Sequence, residues 1–449
     1  MSGGYVPWPE PEDNVVETRS APAAAPEDAH FLEYHKRDPH LLVHKAFYCL
    51  SCAAIAAYIP FLVQWMTQSR GLTFSEAGGI FAIAQFITMF LSPLVARLAD
   101  TSEAWRRRTF IGAQVLWVVA LLAMRHSTTF PQIAACNLLA EVCATTIFPL
   151  LDASIQRLLT AVHGDASRYG NTRAWGAVGW GLGGWGFGAL YDADGNKERF
   201  SLLFAAFMVP SICLALFIPM ERRPATNASD KAACAALLRW DVAAFGLVIM
   251  LCSLLLTTLD LFRFSYLETL GASNQLMGIS LLAASVSETP FFFFTAFILN
   301  KVSVGRAMVV VAAGYTARFL WYAYLSSPVY TVPAELLHGL TFALGWAAAT
   351  KYITEILPPE LASMGQGLLC SVIWCVGGLG GSLFGGGMLQ TFGFRVMWLA
   401  GAALGGCAAG IMVLQLALCR GSKANGGSGG GEPPKGTAET GKDAGPEGH

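Results

Sequence analysis

Apolar residues run along this chain in long blocks, each closed by a short polar or charged stretch. The blocks cover residues 42–66, 74–98, 109–125, 130–158, 170–190, 199–219, 241–267, 276–299, 305–325, 330–356, 364–389 and 394–419. A helix that crosses a bilayer needs roughly 20 apolar residues, so the pattern predicts twelve transmembrane helices. Several blocks contain Pro or Gly, which membrane helices tolerate because neighbouring groups satisfy the freed backbone. Outside the blocks the pattern changes. Residues 1–40 are rich in Pro, Ala and acids, lack the apolar stretch of a signal peptide, and read as a disordered cytosolic tail. Residues 420–449 are Gly-rich, low in complexity, and read as a second disordered cytosolic tail.

The longest inner loop, 220–240, is a cytosolic linker that parts the blocks into an N-terminal six-helix bundle (41–219) and a C-terminal one (241–419). The two halves echo each other. "ARLADTSEAWRRR" (96–108) follows the second block and "NKVSVGR" (300–306) follows the eighth. Gly78 opens the second block and Gly278 the eighth, while the glycine run 176–188 matches "GGLGGSLFGGG" at 377–387. The fold class is therefore an all-α membrane protein built as two six-helix pseudo-repeats, which places a solute site near the midplane between them.

Composition narrows the function. Hydrophobic residues make up 54% of the chain and charged residues 13%, against about 25% charged in a soluble domain. A net charge of -1 with no basic face excludes a nucleic-acid binder. The eleven cysteines lie mostly inside apolar blocks, and Cys49 and Cys52 form a CxxC without a second pair; they read as small packing residues, with no metal or cofactor expected. No nucleophile elbow, HExxH or Walker motif marks an enzyme. Eleven Lys and Arg on one set of loops against five on the other put both termini in the cytosol. The sequon at Asn227 then falls in an inner loop and stays unused. A plasma-membrane location is favoured over an organelle by the acidic N-tail.

The fifth block, "YGNTRAWGAVGWGLGGWGFGAL" (169–190), joins eight glycines, three tryptophans and one arginine. As a helix it uses the pairs Gly179/Gly183 and Gly184/Gly188 for close approach of neighbouring backbones. A phosphate-binding loop would need a strand before it, and none is present. Arg173 and Trp180 lie on nearly one face; Trp175 and Trp185 lie off it, as packing or interface residues.

A charge near the bilayer centre costs about 2.5–3.5 kcal/mol, so intramembrane charges mark cavities and partners. Asp260 and Arg263, three apart, are placed to pair with each other, as are Lys351 and Glu355, four apart. Glu141 reads as a protonated or hydrogen-bonded contact between helices. Asp152, Arg173 and Trp180 offer a carboxylate, a guanidinium and an indole face, a set suited to a polyhydroxylated solute. Glu288, Arg318, Glu335 and His338, on three consecutive blocks, form a candidate proton site.

These residues resemble the lactose permease/nucleoside–proton symporter branch of the major facilitator superfamily, and the major-facilitator "associated" proteins of eukaryotes. "KAFYCLSCAAIAAYIPFLVQW" resembles the first span, and Asp100 with Arg106, Arg107 and Arg108 resembles the gating loop between spans 2 and 3, with Ala96 in place of the usual glycine. "YGNTRAWGAVGW" is similar to the permease's fifth span, which implies sugar-contacting roles for Arg173 and Trp180; Asp152 resembles the span 4 carboxylate, across a longer loop. Glu288 in "VSETP", Arg318, and His338 in "ELLHGLTFALGWAAATKYIT" resemble the acid, arginine and histidine of the C-terminal half. The chain departs where the permease carries its principal proton-bearing glutamate: Thr341 stands there, and Glu335 takes a lysine position one turn before the histidine. Span 11 also lacks the lysine of the permease's pair with span 7. The resemblance implies proton-coupled symport of a small polar organic solute, oligosaccharide or nucleoside-like, by a monomer with solute, proton and bilayer as its partners. A non-transporting receptor and a facilitative uniporter are the alternatives.

Overall fold

The computed structural model describes residues 29–163, 169–220, 239–357 and 362–426. Among these residues the regular structure is helical throughout, with no strand. We number the helices α1 (Ala29–Arg37), α2 (Leu42–Ala56), α3 (Ile59–Gln68), α4 (Phe74–Ala99), α5 (Glu103–His126), α6 (Phe130–His163), α7 (Tyr169–Asp194), α8 (Phe200–Ala215), α9 (Trp240–Thr269), α10 (Asn274–Lys301), α11 (Val304–Ala323), α12 (Thr331–Glu335), α13 (Leu344–Ile356), α14 (Ala362–Cys370) and α15 (Gly378–Gly426). Each apolar block of the sequence falls on helix. Eight helical segments of the described residues are long and apolar enough to cross a membrane. One of these, Gly365–Leu418, carries both the eleventh and twelfth blocks, and it breaks at Gly393, whose φ of 80° only glycine adopts readily. The glycine-rich α7 is not among the eight.

Polar punctuation starts the helices. Thr73 and Glu76 form a reciprocal cap on α4, with the Glu76 amide donating to Thr73 Oγ1 at 3.1 Å and the Thr73 amide to Glu76 Oε2 at 2.8 Å. Ser102 and Ser273 cap α5 and α10 one way only, their hydroxyls accepting the amides of Trp105 and Leu276. The stretch 29–37, which the sequence assigns to the tail, is helical; Asp38 behind it accepts the amides of Leu42 and Val43 at 2.7 and 3.0 Å and so anchors the start of α2. At the other end α15 runs on to Gly426. Residues 1–28 and 427–449, and the sequon at Asn227, lie outside the described residues.

Three of the predicted spans are interrupted. Pro60 has no amide hydrogen to donate, and the first block divides into α2 and α3 there. The tenth contains a π-helical turn at Gly339–Ala343 and the eleventh one at Ser371–Gly377. Such turns often accompany functional sites.

Helices α2 to α8 pack mainly among themselves, as do α9 to α15, and the two sets meet along α7 against α10, α4 against α15, and α3 against α9. Glycines line both these seams and close contacts within each set. On α7, Gly176, Gly179 and Gly183 face α2, where added Cβ atoms would run into Cys52, Cys49 and Ala53. Gly181, Gly184 and Gly188 face α10 on the other side, against Ser285, Leu281 and Asn274. The two cysteines of the CxxC motif thus pack on the glycine face of α7, as small residues. A Cβ on Gly278 would lie 2.8 Å from Trp185 Cα, and one on Gly78 3.2 Å from Gly386 Cα. Gly78 and Gly278, which echo each other in sequence, both lie where the two helix sets touch, and each glycine run divides its contacts between its own set and the other. Trp175 and Trp185 point outward, 45% and 44% exposed, as their register predicts.

Candidate functional site

Three groups of intramembrane charge meet in the interior, and they differ in exposure. Asp152 of α6 and Arg173 of α7 form the first. Arg173 Nη1 donates to Asp152 Oδ2 at 3.3 Å, and Tyr48 of α2 donates its hydroxyl to Asp152 Oδ1. Their side chains remain 28% and 24% exposed, so both can reach a solute. The Arg173 guanidinium also stands 5.9 Å from the centroid of the Trp346 ring, on α13 in the other helix set. That is within the range of cation–π attraction. Arg173 therefore touches both sets of helices.

The second group is closed. Glu335, fully buried, receives Arg318 Nη2 at 2.9 Å on each carboxylate oxygen, an ion pair from Arg263, and the Tyr322 hydroxyl at 2.6 Å. Arg263 and Arg318 are 3% and 1% exposed. The expected pairing of Asp260 with Arg263 is corrected here: the ion-pair contact of Arg263 is with Glu335 on α12, a fully buried carboxylate that offers a charge-assisted acceptor. Asp260 stays half-buried. Thr341, standing where the resemblance places an acid, accepts from Arg318 Nη1 at 3.0 Å. Arg318 is thereby held by α12 and by the π-turn together.

The third group joins Glu288 of α10 to His338, with Oε2 and Nε2 3.8 Å apart and side chains 13% and 14% exposed. His338 Nδ1 lies 3.4 Å from Arg318 Nη1, so the imidazole stands between the open acid and the closed network. Its ring stacks on Phe342, 5.3 Å between centroids, and Phe342 leads to Trp346 and Trp374 at 6.3 Å each. Aromatic rings therefore connect the Glu288–His338 pair to Arg173.

The remaining expectations divide. Trp180 is half-buried against the core, and the ring beside Arg173 is Trp346, not Trp180. Lys351 and Glu355 lie 3.7 Å apart, as expected. At the start of α5, Arg106 pairs with Asp100 of the preceding loop at 2.5 Å, Arg107 donates to the Leu216 carbonyl at 2.5 Å, and the Arg108 guanidinium stands 5.5 Å from the Trp105 ring centroid. The Arg107 contact ties the start of α5 to the end of α8. Sequence reasoning missed Tyr48, Tyr322 and Trp346. Each is one aromatic in an apolar block, with nothing in its spacing to separate it from packing residues.

The described residues hold no group of His, Cys, Asp and Glu arranged to bind a metal ion. Comparison with known proteins gives the context. Residues 41–400 match the MFS_1 like family. The chain is 23% identical over 325 residues to the uncharacterized transporter YwbF of Bacillus subtilis (strain 168), covering 71% of this chain and 79% of that one. It is 24% identical over 371 residues to the maltose permease of Geobacillus stearothermophilus, covering 80% and 90%. Its fold is similar to a crystal structure of the nucleoside transporter NupG, with a TM-score of 0.73, 16% identity, and coverage of 83% of this chain and 99% of that one.

Proposed function

The chain belongs to the MFS_1 like family of major facilitator transporters, and on that premise we propose that it is a proton-coupled symporter of a small polar organic solute. The observation that carries the reading is Arg173: it pairs with Asp152, remains open to water, and stands over Trp346 of the opposite helix set. A solute that takes hydrogen bonds from Arg173 and Asp152 would be held between two bodies that rock against each other in this architecture. A maltose permease among its relatives and a nucleoside transporter of similar fold favour an oligosaccharide or nucleoside-like solute.

The proton resides on the Glu288–His338 pair. Glu288 has no arginine on its carboxylate and is neutral when protonated; on deprotonation its negative charge faces an imidazole that can take a proton in turn. Glu335 is unsuited to that task, since a proton there would leave two buried guanidinium groups without their anion. Inward movement of one charge across 100 mV supplies about 2.3 kcal/mol for accumulation. In this reading both tails and the 220–240 linker are cytosolic, the 41–219 and 241–419 bundles are the moving halves, Asp100 with Arg106, Arg107 and Arg108 gates the inner side, and the monomer at the plasma membrane is the working unit, without enzymatic activity. Proteoliposome uptake of maltose and uridine with and without an inward proton gradient tests it. Gradient-driven uptake in the wild type that is lost in Glu288→Gln supports the reading. Equal uptake without a gradient would instead make the chain a uniporter.

A further inference from the structure

The tenth block leaves regular α-helix where His338 stands. Helix α12 ends at Glu335, and the π-helical turn begins at Gly339. A change from α to π spacing disturbs the backbone ladder, and in hydrocarbon no water can satisfy the groups it frees. One side chain takes two of the backbone groups at this break. Ser287 of α10 donates its hydroxyl to the Leu336 carbonyl at 2.5 Å and accepts the Gly339 amide at 3.1 Å. A single serine therefore spans the segment 336–339 that carries His338.

The approach is close enough to exclude a side chain: a Cβ on Gly339 would run into the Ser287 carbonyl and the Phe291 ring. Helix α10 is itself weakened here. Pro290 has no amide to give the Val286 carbonyl four residues back, so the ladder of α10 lacks a bond at the level of Ser287. Two interrupted helices meet at this point, and the Ser287 hydroxyl ties them together.

The tie lies one residue from each member of the Glu288–His338 pair. Glu288 follows Ser287 on α10, and His338 precedes Gly339. Their facing oxygen and nitrogen are 3.8 Å apart, beyond the roughly 2.7–3.2 Å of an N–H···O hydrogen bond. At that separation a shift of less than an ångström decides whether acid and imidazole bond directly or stand apart.

We infer that Ser287 is the positioning residue of the Glu288–His338 pair, fixing its separation through the Leu336 carbonyl and the Gly339 amide. The inference rests on the reading of that pair as the proton site. Ser287 carries no charge, so it acts on the pair through geometry alone. The intramembrane charges on the helices packed against α10 are Arg173 of α7, Glu335 of α12, and Lys351 and Glu355 of α13, with Arg318 reached through His338. Removing a hydroxyl alters none of them.

Infrared titration of the purified full-length protein tests this without any solute. The wild type should show a protonated-carboxyl C=O band that Glu288→Gln removes. The titration midpoint of that band should move by about one pH unit in Ser287→Ala, a tenfold change in proton affinity. It should return in Ser287→Thr, which restores the hydroxyl. A midpoint unmoved in Ser287→Ala, whatever the unfolding temperature does, overturns the inference, as does a shift that Ser287→Thr repeats. Should Ser287→Ala fail to fold, Ser287→Cys, whose thiol is a weak hydrogen-bonding group, carries the same expectation and the same refutation. The two readings fail separately. Absence of a Glu288 band overturns the proton pair together with this inference, whereas an unmoved midpoint overturns this inference alone. Gradient-independent uptake of maltose or uridine, with the shift present, defeats symport and still supports the role of Ser287.

Discussion

Arg318 Nη2 lies 2.9 Å from both carboxylate oxygens of Glu335, and neither residue is reached by water. With Arg263 on the same carboxylate, the closed network puts two cations on one anion. Removing one partner of a buried pair costs about 3–5 kcal/mol, because the other charge is stranded. Glu335→Gln should therefore lower the thermal unfolding temperature markedly. Glu288→Gln, at a site with no arginine on the acid, should leave unfolding nearly unchanged while abolishing gradient-driven uptake. Equal unfolding temperatures for the two variants would show that the network is not structural.

Arg173 and Asp152 should behave in the opposite sense. Their pair is about a quarter exposed and contributes modestly to stability. A hydrogen bond to a charged group is worth about 1.5–3 kcal/mol, roughly tenfold or more in an equilibrium constant. Arg173→Lys keeps the charge but loses the planar fork, and should weaken solute binding by about tenfold in isothermal titration with little change in unfolding temperature. Trp346→Leu should weaken binding as well; Trp180→Leu serves as the comparison, since its ring is not the one beside Arg173.

The two faces of α7 predict a contrast among its glycines. A Cβ on Gly179 would collide with the backbone of Cys49, whereas one on Gly186 would meet nothing within 4 Å. Gly179→Val should destabilise by about 1–3 kcal/mol or prevent insertion, as overpacking does. Gly186→Ala should be neutral or stabilising by up to about 1 kcal/mol, through helix propensity. Yield of monodisperse protein and unfolding temperature read out both.

One end of the seam between the helix sets is latched by polar contacts. Asp192 of α7 accepts the amides of Asn274 and Gln275 at 2.8 Å each, and thereby caps α10 from the other set. Lys197 stands 2.9 Å from Glu268, which also accepts from Gln64 at 3.1 Å. Loss of a cap costs about 1 kcal/mol, enough to shift a near-balanced equilibrium several-fold. Asp192→Ala combined with Glu268→Gln should lengthen spin-label distances between positions 71 and 272. An unchanged distance distribution would mean that glycine packing alone closes this end.

The sequence by itself determined the helical class, the position of each apolar block, the glycine echo between the halves, and the short list of intramembrane charges. These follow from local rules: bilayer thickness sets block length, and the cost of a charge in hydrocarbon makes each one conspicuous. It also marked the glycines of the fifth block as places of close helix approach, because only glycine permits backbones to come so near. Tertiary structure alone decided which charges meet. Arg263 makes its ion-pair contact with Glu335 on another helix rather than with Asp260, three residues away on its own. Trp346 rather than Trp180 came to lie beside Arg173. Partner choice depends on helix rotation and register across the seams, and no spacing within one helix encodes those.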